Sequence, residues 1–211
     1  MATKEDLSEY LIAPDMSRSG LSRPVQGIDQ NGNPSAMSVI EERPLTIFLN
    51  AQEIVTAMTI GDYPEYLALG FLRNQGMLKD DSGVIGVSYD EDLETVVVRT
   101  ATQTTYEDKL KKKTRTSGCA VGTVFGDMME GLEDVQLPAS PVKTSWLYAL
   151  AAKINRTPSL YLDVGAIHGT VLCVEDRPLV YMEDVGRHNA VDKIAGWMLS
   201  EQVTAADKIL Y

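Results

Sequence analysis

Residues 170–201 read TVLCVEDRPLVYMEDVGRHNAVDKIAGWMLSE. Two apolar runs, Thr170–Val174 and Leu179–Met182, are rich in β-branched and aromatic residues, and the polar residues between them are typical of a turn. From about Ala190 the apolar residues recur at helical spacing, which predicts a helix to Glu201 with one side facing a core. A strand, a turn, a strand and a helix in this order predict a layered α/β unit.

The same unit extends in both directions along the chain. Upstream, Tyr161–Val164 is predicted to be a strand, and a glycine-containing turn with His168 follows it. Downstream, Lys208–Tyr211 begins another strand. We therefore assign residues 119–211 to one α/β unit. Two further helices are predicted in it, over Gly122–Leu132 and over Trp146–Ile154 with Thr144 or Ser145 as the N-cap.

Residues 39–100 are predicted to form a smaller N-terminal αβ unit. Glu42–Leu49 and Glu53–Ile60 are two β-rich runs, and the short polar break between them indicates a hairpin. Asp62 is predicted to cap the helix that follows, and Gly76 to end it. Another strand pair is predicted for Val84–Val87 and Thr95–Arg99.

Two polar segments flank the N-terminal unit. Residues 1–38 are rich in Ser, Gly, Pro, Asp and Asn, which predicts a polar tail that is partly disordered or draped over the body. Residues 101–118 are predicted to be a polar loop with concentrated positive charge. This charge belongs either to a solvated loop or to a surface that attracts an anion and favours a nearby thiolate. The basic residues are Lys109, Lys111, Lys112, Lys113 and Arg115.

The composition is that of a globular protein of one or two domains. The 211 residues are 44% hydrophobic and 23% charged, with a formal net charge of −11, which disfavours nucleic-acid binding. Two cysteines exclude the disulfide framework of small secreted proteins. No apolar run approaches the ~20 residues of a membrane-spanning helix, and no signal pattern opens the chain. We therefore expect a cytoplasmic protein without a membrane segment.

Cys119 is the first candidate for chemistry. It lies in a Ser-Gly-Cys turn after the basic loop, where backbone N–H groups and positive charge lower the pKa of a thiol. A free cysteine is also commonly just a small buried residue. Cys173 alternates with valines in an apolar strand and is predicted to belong to the core.

The second candidate is the turn Gly186-Arg187-His188-Asn189 before the predicted helix. Backbone N–H groups, a guanidinium and an imidazole at one place suit phosphate or another anion. The alternative is ordinary helix capping, with Arg187 paired to an acidic neighbour. Glu183 and Asp184 are candidates to orient His188, and His168 is a further titratable candidate.

Other site classes find little support. The two histidines and two cysteines lack the paired spacing of a zinc site. Neither the Gly-x-Ser-x-Gly motif of α/β-hydrolases nor a Walker-type phosphate loop is present.

Residues 183–193, which read EDVGRHNAVDK, closely resemble the signature of the FdhD family of formate dehydrogenase accessory proteins. The Ser-Gly-Cys turn and the Glu-Arg-Pro-Leu run at residues 42–45 are similar to that family too. The resemblance covers about residues 40–211. It implies a cytidine deaminase-like α/β core and a dimer. It also implies that Cys119 carries a persulfide sulfur from a cysteine desulfurase to the molybdenum bis-molybdopterin guanine dinucleotide cofactor of formate dehydrogenase.

The chain departs from the family pattern at three points. Many members carry Cys-x-x-Cys, where this chain has Gly122 as the second residue, so it cannot release sulfur by forming a local disulfide. The usual Thr-Gly-Gly-x-His turn is Val164-Gly165-Ala166-Ile167-His168 here. Family members also continue beyond Tyr211 with part of the cofactor-binding surface, so the unit is expected to be cut short at its C-terminus.

These residues suggest three functions. The first is a sulfur carrier, with Cys119 as the carrier, His168 as a proton-transfer group, and Gly186, Arg187, His188 and Asn189 as the cofactor pocket. The second is a cofactor-binding chaperone for formate dehydrogenase without sulfur transfer. The third, a zinc deaminase, lacks the His-x-Glu and Pro-Cys-x-x-Cys elements that activate water.

Overall fold

The computed structural model describes residues 10–78, 83–102, 113–116, 122–125 and 141–211, and for 113–116 and 122–125 the backbone only. The strands are β1 Ser22–Ile28, β2 Pro34–Ile40, β3 Arg43–Leu49, β4 Gln52–Thr59, β5 Val84–Asp90, β6 Thr95–Thr100, β7 Lys113–Thr116, β8 Gly122–Phe125, β9 His168–Val174, β10 Arg177–Asp184 and β11 Ile209–Leu210. The helices are α1 Pro64–Asn74, α2 Thr144–Ile154, α3 Leu160–Asp163 and α4 Arg187–Ser200. The mixed α/β class is confirmed, whereas the cytidine deaminase-like arrangement stays a prediction.

The first sheet has four strands in the order β4-β3-β6-β5, and β3 runs parallel to β6. Alternate residues of β3 are buried, because successive strand residues point to opposite faces. They pack with valines of β6 and with leucines of α1. The predicted hairpin, helix and second strand pair of residues 39–100 are all present.

The second sheet has three strands in the order β10-β9-β11 and a helix on each face. On one face Val171 and Cys173 pack against Leu150 and Ile154 of α2. On the other face Leu172 and its neighbours on β10 pack against Ile194 and Trp197 of α4. The two strands and the helix predicted from residues 170–201 are thereby confirmed as one layered unit.

Helices α1 and α4 join the two sheets, because they cross with their backbones in contact. A Cβ added to Gly70 of α1 would lie 1.7 Å from the Asp192 carbonyl oxygen. One added to Gly196 of α4 would lie 1.8 Å from the Tyr66 carbonyl oxygen. Two glycines facing each other's helix therefore set the separation of the two layers.

The prediction of an irregular tail is wrong for the last part of residues 1–38. Residues 22–40 form the antiparallel hairpin β1–β2, closed by a turn in which Asp29 accepts hydrogen bonds from the backbone N–H groups of Asn31 and Asn33. Both strands are largely exposed, so no apolar alternation marked them in the sequence. Further upstream, Ile12 forms a bridge with Val180 of β10. Residues 1–9 lie outside the described part.

Two predicted elements differ in kind, and a third differs at its N-cap. Residues 160–163 form helix α3 rather than a strand, because the Ser159 side chain caps it by accepting from the Leu162 N–H at 3.3 Å. The helix predicted over 122–132 is wrong for residues 122–125, which form β8 paired with β7, and residues 126–132 lie outside the described part. The polar loop predicted over 101–118 is likewise wrong for Lys113–Thr116, which form β7, while residues 103–112, 117 and 118 lie outside the described part. The prediction that Thr144 or Ser145 caps helix α2 is wrong, because the N-cap residue is Lys143 and no side chain caps the helix there. No helix in the described ranges is long and apolar enough to cross a bilayer.

Candidate functional site

The run 183–193 links the end of β10 to the first two turns of α4, and it divides into buried and exposed residues. The buried members include acids, an amide and a lysine, and these are Glu183, Asp184, Asn189, Asp192 and Lys193. Arg187 and His188, between them in sequence, are exposed. The run therefore supplies an internal polar network and, on the first turn of α4, an exposed cationic surface.

Lys193 is the centre of the internal network, with its side chain fully buried. Its Nζ forms ion pairs with Asp62 and, at 2.6 Å, with Asp184 Oδ2. It also donates to the Glu183 carbonyl oxygen at 2.9 Å. Burial by itself lowers the pKa of this ammonium, but the two carboxylates outweigh burial and raise its pKa. Lys193 is therefore held in its charged form inside the protein.

Asp184 ties the start of α4 to the first sheet. Its Oδ2 accepts from the Thr59 hydroxyl at 2.5 Å. Its Oδ1 accepts from the Gly186 N–H at 3.1 Å and from the Asn189 side-chain amide at 3.0 Å. The same amide donates to the Met58 carbonyl oxygen at 2.8 Å. The first turn of α4 is therefore fastened to the last two residues of β4.

The prediction that Asp62 caps helix α1 is wrong. The N-cap position is Tyr63, in the left-handed region at φ 46°, and no side chain caps the helix there. Asp62 turns inward to Lys193, since a buried ammonium needs paired carboxylates. Sequence reasoning missed this pair, although one signal was available: Lys193 occupies an apolar-face position beside Ile194 and Trp197.

Glu183 is bound at the start of α3. Its carboxylate accepts from the N–H groups of Leu160 at 3.0 Å and Tyr161 at 2.9 Å. Burial raises its pKa against the lowering effect of these two bonds. The carboxylates of Glu183 and Asp184 are thus bonded within the fold, and neither of them shows a hydrogen bond to His188 among the described residues.

The predicted site residues lie at one end of the second sheet. Gly186 is the N-cap of α4, and Arg187 and His188 open the helix. His168 is exposed at the start of β9, with its Cα paired to that of Asp184 across the strands. Asn189 lies inside, where its amide holds the helix start. The structure therefore brings His168 to the same sheet end as the cationic turn.

Of the two cysteines, Cys173 lies in the part of the chain that the structure describes and Cys119 does not. Cys119 lies outside the described residues, between β7 and β8, whose adjoining residues Thr116 and Gly122 are paired. Cys173 is fully buried in β9, as predicted, and its thiol contacts the Val171 carbonyl oxygen at 3.6 Å. Burial raises the pKa of Cys173 to about 12, so this thiol is not a nucleophile at neutral pH.

The turn before His168 has an alanine, Ala166, at a position where the backbone adopts the left-handed conformation that favours glycine. Gly165 and Ala166 both have positive φ, 72° and 54°. An alanine in the left-handed region costs about 1 to 2 kcal/mol, whereas glycine adopts it freely.

Ala166→Gly is therefore expected to raise the free energy of unfolding by about 0.5 to 1 kcal/mol, after the greater entropy of glycine in the unfolded chain is subtracted. Urea denaturation measures this change. The control is Ala152→Gly on the exposed side of α2, where glycine is expected to destabilise by about 1 kcal/mol. Equal losses in both variants would contradict the expectation.

No cluster of three or more His, Cys, Asp or Glu side chains in the described ranges is arranged to hold a metal ion.

Comparisons with a family model and with curated proteins point to the same family. The model of the FdhD/NarQ family matches residues 40–211. Proteins named sulfur carrier protein FdhD from Bacillus pumilus (strain SAFR-032) and Bacillus subtilis (strain 168) are 28% and 29% identical over 178 and 175 residues, respectively. Each alignment covers 82% of this chain and 66% of the relative, so the chain spans just under two thirds of their length.

The fold has a match among solved structures. A crystal structure described as that of a formate dehydrogenase accessory protein from Desulfotalea psychrophila superposes with a TM-score of 0.67 at 22% identity. The match covers 90% of this chain and 72% of the other, and it supports the fold alone. The family match extends over most of the chain and includes the whole of residues 183–193. This chain therefore belongs to the FdhD/NarQ family.

Proposed function

We propose that this protein is a sulfur carrier for the maturation of formate dehydrogenase. In this proposal, Cys119 accepts a sulfur from a cysteine desulfurase and passes it to the molybdenum bis-molybdopterin guanine dinucleotide cofactor. The family membership supports the proposal, as do relatives that are named sulfur carrier proteins. A cytoplasmic homodimer is part of the same proposal.

The observation that carries the proposal concerns the cysteines. The chain has only two, and Cys173 is buried with its pKa raised to about 12. Sulfur exchange needs a thiolate that a partner can reach. Any persulfide chemistry of this chain therefore falls to Cys119.

The accepting step is a thiolate exchange. The Cys119 thiolate attacks the outer sulfur of the desulfurase persulfide, a new S–S bond forms at Cys119, and the desulfurase cysteine leaves as a thiolate. Charge and electrons balance without an added oxidant. Because Gly122 stands where many members have a second cysteine, the sulfur stays on Cys119 until an outside acceptor takes it.

The cofactor enters this scheme as the substrate that receives the sulfur. Arg187 and His188 are exposed on the first turn of α4, and this arrangement fits an anionic pyrophosphate or phosphate group. His168 lies at the same sheet end and can hold or move a proton. Asn189, being bonded inside, would contribute by holding the turn.

Intact-protein mass spectrometry tests the proposal. After incubation with a cysteine desulfurase and cysteine without reductant, the protein is expected to gain one sulfur, about 32 Da, which a thiol reductant removes. Cys119→Ala is expected to abolish the gain. Cys173→Ala is the matched control and is expected to retain it, because the buried thiol takes no part.

The rival function is a cofactor-binding chaperone without sulfur transfer. If wild-type protein gains no sulfur although Cys119 is readily alkylated, the carrier function is rejected. The chaperone function then predicts that Cys119→Ala still supports formate dehydrogenase activity while Arg187→Ala does not.

A further inference from the structure

Thr59 lies outside residues 183–193, yet its side chain bonds to the internal polar network that these residues form. It is the last residue of β4 and is 1% exposed. Its hydroxyl donates to Asp184 Oδ2 at 2.5 Å and accepts from the Gly61 N–H at 3.4 Å. One hydroxyl thus connects the turn after β4 to the end of β10, 125 residues further along the chain.

The bond continues through Asp184 to the exposed cationic turn. Asp184 Oδ1 holds the Gly186 N–H and the Asn189 amide, one residue before Arg187 and one residue after His188. Arg187 and His188 therefore lie between two residues that donate to the same carboxylate oxygen, Gly186 through its backbone and Asn189 through its side chain. The orientation of that carboxylate depends on what its other oxygen binds, and its partners there are Thr59 and Lys193.

The two partners of Oδ2 contribute differently. The Lys193 ammonium supplies charge, and it is shared with Asp62 and the Glu183 carbonyl oxygen. The Thr59 hydroxyl is fixed to β4 by a short β-branched side chain with few rotamers. A bond to such a donor defines the direction of the carboxylate more closely than a bond to a long lysine does.

We propose that Thr59 is a positioning residue, which sets the placement of Arg187 and His188 through the Asp184 carboxylate. The inference rests on the proposed function only in that Arg187 and His188 would contact the sulfur acceptor. Thr59 itself touches neither the acceptor nor Cys119 in this scheme. Its loss is therefore expected to impair sulfur delivery and leave sulfur acceptance intact.

The test compares Thr59→Val, which keeps the shape and removes the hydroxyl, with Thr59→Ser, which keeps the hydroxyl. Thr56→Val is the matched control, because Thr56 is an exposed threonine of the same strand whose hydroxyl bonds to Thr46. All three are compared with the wild-type protein at a temperature where circular dichroism shows each to be folded.

The first readout is the imidazole NMR spectrum of histidine-labelled protein. The chain has two histidines, so a His168→Gln variant assigns both. Thr59→Val is expected to shift or broaden the His188 signals, whereas Thr59→Ser and Thr56→Val leave them at their wild-type positions. Unchanged His188 signals in Thr59→Val overturn the proposal. This readout needs no sulfur transfer, so it stands even if the carrier function fails.

The second readout separates the two halves of the proposed reaction. The gain of 32 Da on incubation with desulfurase measures acceptance, and formate dehydrogenase activity in a bacterium deleted for its own FdhD measures delivery. Thr59→Val is expected to lose about tenfold in delivery, as small misplacements of positioning groups do, with acceptance within twofold of wild type. Equal losses in both steps, or no rescue by Thr59→Ser, reject a positioning role.

Discussion

Lys193→Met is expected to lower the free energy of unfolding by about 3 to 5 kcal/mol, because it leaves two buried carboxylates without their cation. Lys193 is fully buried and is paired with both Asp62 and Asp184. Methionine has a similar length, so lost packing contributes little. Urea denaturation at pH 7.5 measures the loss.

The same variant is expected to have a characteristic pH dependence. Burial raises the pKa of Asp62 even with the lysine present, and removing the ammonium raises the pKa of this carboxyl further. The folded variant then binds a proton more tightly than the unfolded chain, so it gains stability as the pH falls from 7.5 towards about 5. The deficit relative to wild type should shrink over that range, and a deficit independent of pH would contradict a purely electrostatic cause.

Lys208→Met is the matched control. Lys208 pairs with its exposed sequence neighbour Asp207 just before β11. The Asp207 side chain is 64% exposed and that of Lys208 is 13% exposed, so water reaches the pair from the Asp207 side and screens it. Such a pair contributes little to stability. The unfolding midpoint of the control is expected to stay close to that of wild type at both pH values.

Gly196→Ala is expected to destabilise the protein by about 3 kcal/mol or more, the upper range for overpacking a core. The added methyl group would lie 1.8 Å from the Tyr66 carbonyl oxygen and 2.9 Å from the Gly70 nitrogen. These are backbone atoms of α1, so no side chain can move aside and the two helices must separate. Alanine favours a helix over glycine by about 1 kcal/mol, which is too little to offset the clash. Thermal and urea unfolding measure the change.

Gly86→Ala is the control for the crossing. Gly86 is in β5, and an added Cβ there meets no atom within 4 Å. Its φ does not lie in the left-handed region, so alanine fits without strain. This variant is expected to be neutral or slightly stabilising. Similar losses at Gly86 and Gly196 would show that the helix contact is not the cause.

A second substitution at the crossing of α1 and α4 is expected to stabilise the protein, whereas Gly196→Ala is expected to destabilise it. Asp192 is buried in α4 and accepts from the Asn74 side chain at 2.6 Å, yet burial raises its pKa to about 6. Because the pKa of Asp192 is higher in the folded protein than in the unfolded chain, its ionisation costs stability, and this cost builds up as the pH rises from about 4 to about 6. Asp192→Asn is therefore expected to stabilise the protein by about 1 kcal/mol at pH 7 and not at pH 4. Urea denaturation at the two pH values measures the difference, and an equal effect at both would contradict a cause in the ionisation of Asp192.

The strands and helices around residues 170–201 could be predicted because their signals are local. Short continuous apolar runs rich in β-branched and aromatic residues mark β9 and β10, and apolar residues at helical spacing mark α4. The hairpin β1–β2 escaped prediction because it buries little and so leaves no apolar period. Helix α3 was mistaken for a strand because four residues carry too little periodicity to tell the two apart.

The candidate site was predicted only in part. The exposed pair Arg187 and His188 follows from residue type at a helix start, and Cys173 as core follows from its apolar strand. The role of Asp62 was wrongly predicted, since an acid before a helix is usually a cap. Thr59 carried no signal, because a threonine at the end of a strand is ordinary.

The amino-acid sequence by itself determined the α/β class, the family, and the choice of Cys119 and residues 186–188 as candidates for chemistry. The tertiary structure alone decided the partner of each buried polar group: Asp62 for Lys193, 131 residues apart, and Thr59 for Asp184, 125 residues apart. The physical reason is that periodicity reports whether a side chain faces the core. Which charge or hydroxyl meets it there depends on how the two sheets are brought together by the close crossing of α1 and α4.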